Sequence, residues 1–422
     1  MTEPPEIERA VGMECYATTT PPCPARLKSS PEDFSVEESL EGLAIEETPK
    51  QGYVPLYRIE KRGIDTLHLE RELGDSLKSR VVTAGLKDKA AVAVQYATPT
   101  STRSERPLSI NGNNFSAKLV GYVPRPIARS SLVGNRFMIV LRDCCSDIGD
   151  RLTEIFALGE RMLVPNFFGL QRFGGRGILT HRVGRAIVLK RFDEAIRLLL
   201  LEPRQTDGPD SEEARRAMEE GRFEEGLRLL PPGQDIEKRV ARALSIKPGD
   251  SLGALRAVPI RVRKLYTQAF QSYLFNRTLS AALKGGLDIS TTVTGDNWGE
   301  VAHGGMVVSK VHGVKEPILP GSIPLVQFPG FAYRDYGSRF DKCAEAVMAE
   351  EGVAARDFYV KDLQEVSVEG GFRRPSLVLR DGSSERTGEH TVVRFVLGKG
   401  SYATVLLREV VKPADPAAAG FA

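Results

Sequence analysis

The sequence predicts an α+β fold, a sheet with flanking helices interrupted by a large insertion. Three observations predict it. Short strands interleave with helices without any βαβ nucleotide fingerprint, which argues against a doubly wound sheet. Strand-rich text of one style occupies both ends of the chain. Between them, from Pro165, the chain turns rich in Gly, Arg and aromatics and then helical. At 422 residues it is too long for one simple core. The expected division is a sheet domain from 1–165 and 372–422, with the insertion at 166–371.

Along the chain, the first 25 residues, with TTTPPCP, predict an arm with little regular structure of its own. Ser30-Pro31-Glu32 marks a turn or helix start before the alternating strand FSVEE. YVPLYRIEKRG reads as a strand, TLHLERELGDSLK has apolar residues at helical spacing, and VVTAG and AVAVQYATP return to strand. FSAKLVGYV and FMIVLRD follow, with Gly134-Asn135 as the turn before the second. In the insertion, 211–231 and 234–244 are expected as helices separated by the breaker PPG. RKLYTQAFQSYLFNRTLSAALKGG is the best helix, ended by Lys284-Gly285-Gly286. Residues 287–335 are strand-and-turn text, and a helix follows over 338–351. SLVLR, TVVRFVL and YATVLLREVV are expected as strands, and PADPAAAGFA as a disordered tail.

Composition excludes several classes. Hydrophobic residues make up 41% and charged residues 27%, the balance of a soluble globular protein. No apolar run approaches the roughly 20 residues of a bilayer span, and the N-terminus has no secretory pattern. A cytoplasmic protein is expected. The 58 basic and 55 acidic residues nearly cancel, so a nucleic-acid surface requires local clustering. The densest basic cluster is Arg172, Arg176, His181, Arg182, Arg185, Lys190 and Arg191, a candidate phosphate-contacting patch whose plainer reading is a solvated face. The five cysteines form no CxxC pair, and the five histidines no HxH or HxxxH pattern, so neither a disulfide framework nor a metal site is expected. Gly398-Lys399-Gly400-Ser401 and Gly174-Gly175-Arg176-Gly177 lack the phosphate-loop pattern and read as turns.

The informative site is Gly85-Leu86-Lys87-Asp88-Lys89-Ala90, directly after a strand of buried character. A carboxylate flanked by two lysines should stay ionised, because nearby cations favour the charged form. Such a group can act as nucleophile or general base. Taken alone, an Asp in a basic turn is more often a structural residue or half of a surface ion pair.

Context changes that balance. AGLKDKAAVAVQ resembles the signature of the TruD family of pseudouridine synthases, in which the Asp of G-x-K-D is catalytic. LKSSPEDFSVEE, GNRF with MIVLR, NFFGLQRFG, QAFQSYLFN and LGKGSYATVLLRE resemble further family elements in the same order, over about residues 27 to 412. Departures are Phe167 for the usual Tyr, Gly398 for Pro and Ala93 for a frequent Thr. QSYLFN and the long insertion resemble archaeal members.

The resemblance implies a pseudouridine-synthase-type mixed, largely antiparallel sheet carrying a TruD-type insertion. It implies an isomerase that needs no cofactor or metal, with tRNA as partner, position 13 as the leading target, and no protein partner. The target uridine is expected to be flipped into a pocket. Asp88 would be the essential carboxylate, with Lys28 pairing with it. Phe137 would stack on the base, and Asn135 would bond Asp88 or the base. Phe34, Gln95, Gln171 and Arg172 would complete substrate binding. Plainer readings stand beside these: Phe137 and Phe34 as core, Lys28 as a surface lysine, and NFFGLQRFG as a domain junction. The competing functions are a non-catalytic RNA-binding protein or folding helper that kept the fold, and a hydrolase releasing uracil.

Overall fold

A computed structural model describes residues 2–85, 87, 92–203 and 207–422, without the side chains of Leu67 and Arg176. Strands β1 (Phe34–Leu40), β2 (Val54–Lys61), β3 (Val81–Thr83), β4 (Val92–Pro99), β5 (Ser109–Asn111), β6 (Phe115–Val123) and β7 (Leu132–Leu141) come from the first part of the chain. Helices α1 (Glu6–Arg9), α2 (Thr66–Leu77) and α3 (Ile148–Glu160) accompany them. A run of helices follows: α4 (Thr180–Val188), α5 (Phe192–Leu201), α6 (Pro209–Glu219), α7 (Phe223–Leu229), α8 (Asp235–Ile246), α9 (Ser251–Ala257) and α10 (Ile260–Lys284). Then come β8 (Asn297–Ala302), β9 (Val307–His312), β10 (Ile323–Phe328), α11 (Arg339–Glu350) and β11 (Gly371–Arg373). Strands β12 (Leu379–Thr387) and β13 (His390–Gly398) and helix α12 (Ala403–Val411) close the chain.

Among the described residues the strands form a nine-stranded sheet, order β12-β13-β7-β1-β4-β2-β6-β5 with β3 on β4, and a four-stranded sheet, order β11-β10-β8-β9. In the large sheet β1 and β4 pair in parallel, and the other pairings are antiparallel. The class is α+β, as the interleaved short strands predict. No described helix is long and apolar enough to cross a membrane.

The period-2 pattern of β1 aims Phe34, Val36 and Glu38 to one face. The antiparallel register sets Val36 opposite Phe137 and Glu38 opposite Asn135, and directly opposed residues share a face. Strand β13 adds Phe395 opposite Phe137. Together with Leu397 and Leu406 these aromatics belong to one buried cluster, and each buried Phe contributes roughly 1.5–3 kcal/mol.

Helix α10 is buried almost all round, so its polar residues face protein rather than water. Asn276 donates to Val11 O at 2.9 Å and accepts from Phe168 N at 2.8 Å; Ser280 donates to Gly12 O at 2.7 Å. These bonds explain the polar letters in and beside QSYLFN: each satisfies backbone brought in from elsewhere.

Several expectations are corrected. Gly134-Asn135 is not a turn but lies inside β7, where a Cβ on Gly134 would meet Leu397 O at 2.5 Å. The glycine permits close pairing with β13. Segment 211–231 is helical as expected, in two helices, α6 and α7, split where Gly221 adopts φ +78. YATVLLREVV is helix α12, not a strand. Every residue of it from Ala403 to Val411 is buried, and a short run buried on all sides has no period to distinguish helix from strand. The last residues are ordered in the packing: Phe421 is 2% exposed, and Ala419 O accepts from Leu27 N at 2.9 Å. The N-terminal arm is equally tied down. Arg408 in α12 holds Glu8 at 2.6 Å inside the core, and Tyr16 lies under its guanidinium. Finally, Cys23 and Cys145 form a disulfide across 122 residues, a pairing made by tertiary proximity and invisible to local spacing rules.

Candidate active site

Where β1 and β7 run side by side, a cavity of about 190 Å³ opens, lined by Lys28, Phe34, Val36, Lys87, Asn135, Phe137, Gln171 and the segment Ser401–Thr404. Five of the predicted site residues therefore meet here: Lys28, Phe34, Asn135, Phe137 and Gln171. Asp88 lies outside the described residues, one position after Lys87. A larger cavity of about 770 Å³ lies between the N- and C-terminal segments, but it is lined largely by Pro and Ala and carries none of the predicted residues.

Phe34 and Phe137 meet edge to face, centroids 6.0 Å apart, and Phe137 rests on Phe395 at 5.4 Å. Both rings thus belong to the core and to the cavity wall. Lys28, at φ +54, sets its ammonium 5.0 Å from the Phe34 ring centroid. Gln171 donates to Phe421 O at 2.8 Å and accepts from Thr404 at 3.3 Å, so the C-terminal tail braces the cavity.

Lys87 is fixed on every side. Its ammonium pairs with Glu38 at 3.0 Å and donates to Asn135 Oδ1 at 2.9 Å. Its backbone N–H donates to Thr66 Oγ1 at 3.0 Å, and its carbonyl accepts from Lys61 Nζ at 3.1 Å. Burial pushes the Glu38 carboxyl up, opposed by Lys87. The flanking lysine therefore anchors its turn to the β1/β7 face, instead of serving only as a charge beside Asp88. Gln95 is fully buried, outside the cavity, and accepts from Thr66 at 3.3 Å. It supports the same turn from below.

Arg172 also lies off the cavity lining, donating to Ser272 Oγ at 3.1 Å and Gln268 Oε1 at 3.3 Å on α10. In NFFGLQRFG, Asn166 is buried and accepts from Arg373 and Ser401 at 2.9 and 3.1 Å, tying β11 to the loop before α12.

From Arg182 to Arg191 the arginines of the dense basic run are matched by carboxylates. Arg182 pairs with Glu202, Arg185 with Glu351 at 3.1 Å and Arg191 with Glu194 at 3.6 Å. His181 is buried, stacked on Tyr273 at 4.9 Å, and burial holds its imidazole down to about 4.

Glu38, Lys87, Ser401, Tyr402 and Thr404 join the site without having been predicted there. Glu38 has a legible signal, since it lies in register with Phe34 and Val36. The Ser-Tyr-Ala-Thr segment is visible as a motif, but the strand expected there hides its place at the start of a helix.

The model of a family described as tRNA pseudouridine synthase D (TruD) matches residues 10–410. The chain belongs to the TruD family. Its members isomerise uridine to pseudouridine in tRNA, which makes this chain an isomerase acting on RNA. A "Probable tRNA pseudouridine synthase D" of Pyrobaculum arsenaticum is 33% identical over 430 residues, covering 100% of both chains. One of Methanopyrus kandleri is 32% identical over 364 residues, covering 84% of this chain and 85% of the other. A crystal structure of the "Putative tRNA pseudouridine synthase D (TruD)" from Methanosarcina mazei superposes with a TM-score of 0.75 at 27% identity, covering 98% of this chain and 99% of that one. These relatives are archaeal, as are the members that QSYLFN resembles.

Proposed function

We propose that the chain converts the uridine at position 13 of tRNA to pseudouridine in the cytoplasm, with Asp88 as the catalytic carboxylate. The observation that carries this reading is the fixing of Lys87 by Glu38, Asn135, Thr66 and Lys61 at the cavity wall. Lys87, the residue before Asp88, is thus fixed at the cavity wall, and preorganisation of reacting groups is where proximity catalysis gains.

The uridine enters extruded from its stack. Phe137 offers a face for the base, a contact worth roughly 1–3 kcal/mol. Lys28 supplies positive charge at the cavity wall and favours an ionised Asp88. Asp88 then acts at the sugar as the bond from uracil N1 breaks, the base rotates, and carbon 5 takes the place of N1. With Phe at 137, the carbon 5 proton leaves to a group other than that ring. The catalytic domain is proposed as 1–165 with 372–422, and the TruD-type insertion as 166–371, with RNA between them.

The test is to incubate unmodified tRNA transcripts with the protein and with Asp88→Ala, then map pseudouridine by carbodiimide labelling and primer extension. A stop at position 13 with the wild type alone is expected. Stops at another uridine move the target. Equal modification by Asp88→Ala removes the carboxylate from its role. RNA binding without modification by the wild type returns the reading to an RNA-binding protein.

A further inference from the structure

Four cations gather around the loop that carries Tyr402 into the cavity. Lys399 donates to Arg129 O, joining the end of β13 to the turn before β7 across 270 residues of sequence. Arg373, at the end of β11, donates to Gly400 O at 2.8 Å and to Asn166 Oδ1 at 2.9 Å. Arg172 donates to Ser272 and Gln268. Every one of these acceptors is neutral. Among the described residues, no carboxylate pairs with Arg129, Arg172, Arg373 or Lys399.

Several other cations held against protein are paired with carboxylates: Arg142 with Asp33, Arg339 with Asp296 and Arg408 with Glu8. Arg374 and Lys412 donate to neutral acceptors singly, whereas these four gather at the loop whose Ser401 and Tyr402 line the candidate active site. Neutral acceptors orient a guanidinium but leave its charge uncancelled, and desolvating such a charge costs energy. The cost is visible. Burial presses the Arg172 guanidinium below its usual range, with Arg129 adding to the effect. Arg373 is pressed down to about 10 by burial, opposed by Tyr402 and reinforced by Arg172. Lys399 is lowered by burial and by Arg129. Each cation thus repels the next in a chain from Lys399 through Arg129 and Arg172 to Arg373. An arrangement of this kind is stabilised by an anion that enters with the ligand.

We propose that Arg129, Arg172, Arg373 and Lys399 form a binding site for the RNA backbone phosphates flanking the nucleotide in the cavity. The inference rests on the RNA-modifying reading above and adds to it a location and a ligand class, the phosphodiester. Ser401 and Tyr402 line the cavity from the same loop, so phosphates held here place the sugar of the extruded nucleotide at its mouth. The forked guanidiniums suit phosphate oxygens, and the exposed Lys399 and Arg129 form the outer, more solvated end.

The test uses the full chain and one tRNA transcript. Arg129→Ala, Lys399→Ala and the double variant truncate exposed side chains, and their thermal midpoints verify folding. Affinity is measured against salt. Removing one phosphate-binding cation flattens the slope of log K against log salt by about 0.7–0.9 and weakens binding by about tenfold at moderate salt. The Michaelis constant rises more than turnover falls. A double variant with wild-type affinity and slope overturns the proposal.

A scan of single methylphosphonates through the RNA locates the phosphates that are held. Neutral linkages beside the modified uridine should weaken the wild type more than the double variant, which has lost two of the four cations. A wild type indifferent to every neutral linkage there overturns the site, and an acidic protein partner becomes the occupant to seek. The scan reads binding alone. Failure to form pseudouridine would therefore count against the catalytic reading without touching this one.

Discussion

The run from His181 to Arg191 and the rim around Tyr402 are both basic, and they are built in opposite ways. The run is dense in sequence, yet the fold brings Glu202, Glu351 and Glu194 to its arginines and buries His181. The rim has no density in sequence at all. Its members come from the turn before β7, the segment before α4, the end of β11 and the end of β13. It keeps its charges because no acid is supplied to it. Charge along a chain counts cations, whereas a binding surface depends on which cations the fold leaves uncancelled.

The sharpest way to probe paired against unpaired cations is a deeply buried pair at the candidate site. Lys87 and Glu38 are 8% and 0% exposed at their side chains. Lys87→Met should strand the Glu38 carboxylate and cost about 3–5 kcal/mol in chemical denaturation. Turnover should collapse because Lys87, the residue before Asp88, loses its anchor on Glu38 and Asn135. Adding Glu38→Gln should recover part of the stability but little of the turnover. A Lys87→Met protein as stable and active as the wild type would show that the pair anchors nothing.

His181 gives the next effect, and it separates burial from pairing within the basic run. Its imidazole sits at about 4 in the folded chain against an ordinary value of 6.5. Between those values the unfolded chain binds more protons, so the contribution is complete above pH 6.5 and lost as pH falls through 4. The loss approaches about 3 kcal/mol. His181→Phe keeps an aromatic against Tyr273, and its stability should vary less between pH 6.5 and 4. Equal slopes for the two proteins would mean that the imidazole titrates normally.

How much of this was legible follows from which interactions are local. The face of β1 was legible, because alternation places Phe34, Val36 and Glu38 together before any partner strand is known. Asn135 and Phe137 were legible only through the resemblance of GNRF to a family element, since Gly134-Asn135 reads locally as a turn and its place inside β7 is set by pairing with β1 and β13. The anchoring of Lys87 was not, since Glu38, Thr66 and Lys61 reach it from three separate elements. Helix α12 reads as a strand because burial on all sides erases the helical period. The tail reads as disordered because its composition looks solvated, while Phe421 enters the core and its carbonyl accepts from Gln171. The disulfide and the cationic rim are both purely tertiary, and no spacing rule reaches them.

The smallest effect tests the other half of the comparison. Arg182 and Arg191 have substantially exposed side chains, 47% and 58%, and each pairs with a similarly exposed glutamate. Exposed pairs gain little, because solvent screens the attraction and ordering two long side chains offsets it. Arg182→Ala and Arg191→Ala should therefore each change stability by less than about 1 kcal/mol. More tellingly, neither should alter tRNA affinity or its salt dependence, because each charge is already matched within the protein. If Arg191→Ala flattened the salt slope as much as Lys399→Ala, the pairing seen in the free protein would have to open on binding. The run would then be a latent surface, and uncancelled charge in the free molecule would no longer be the criterion that separates the two regions.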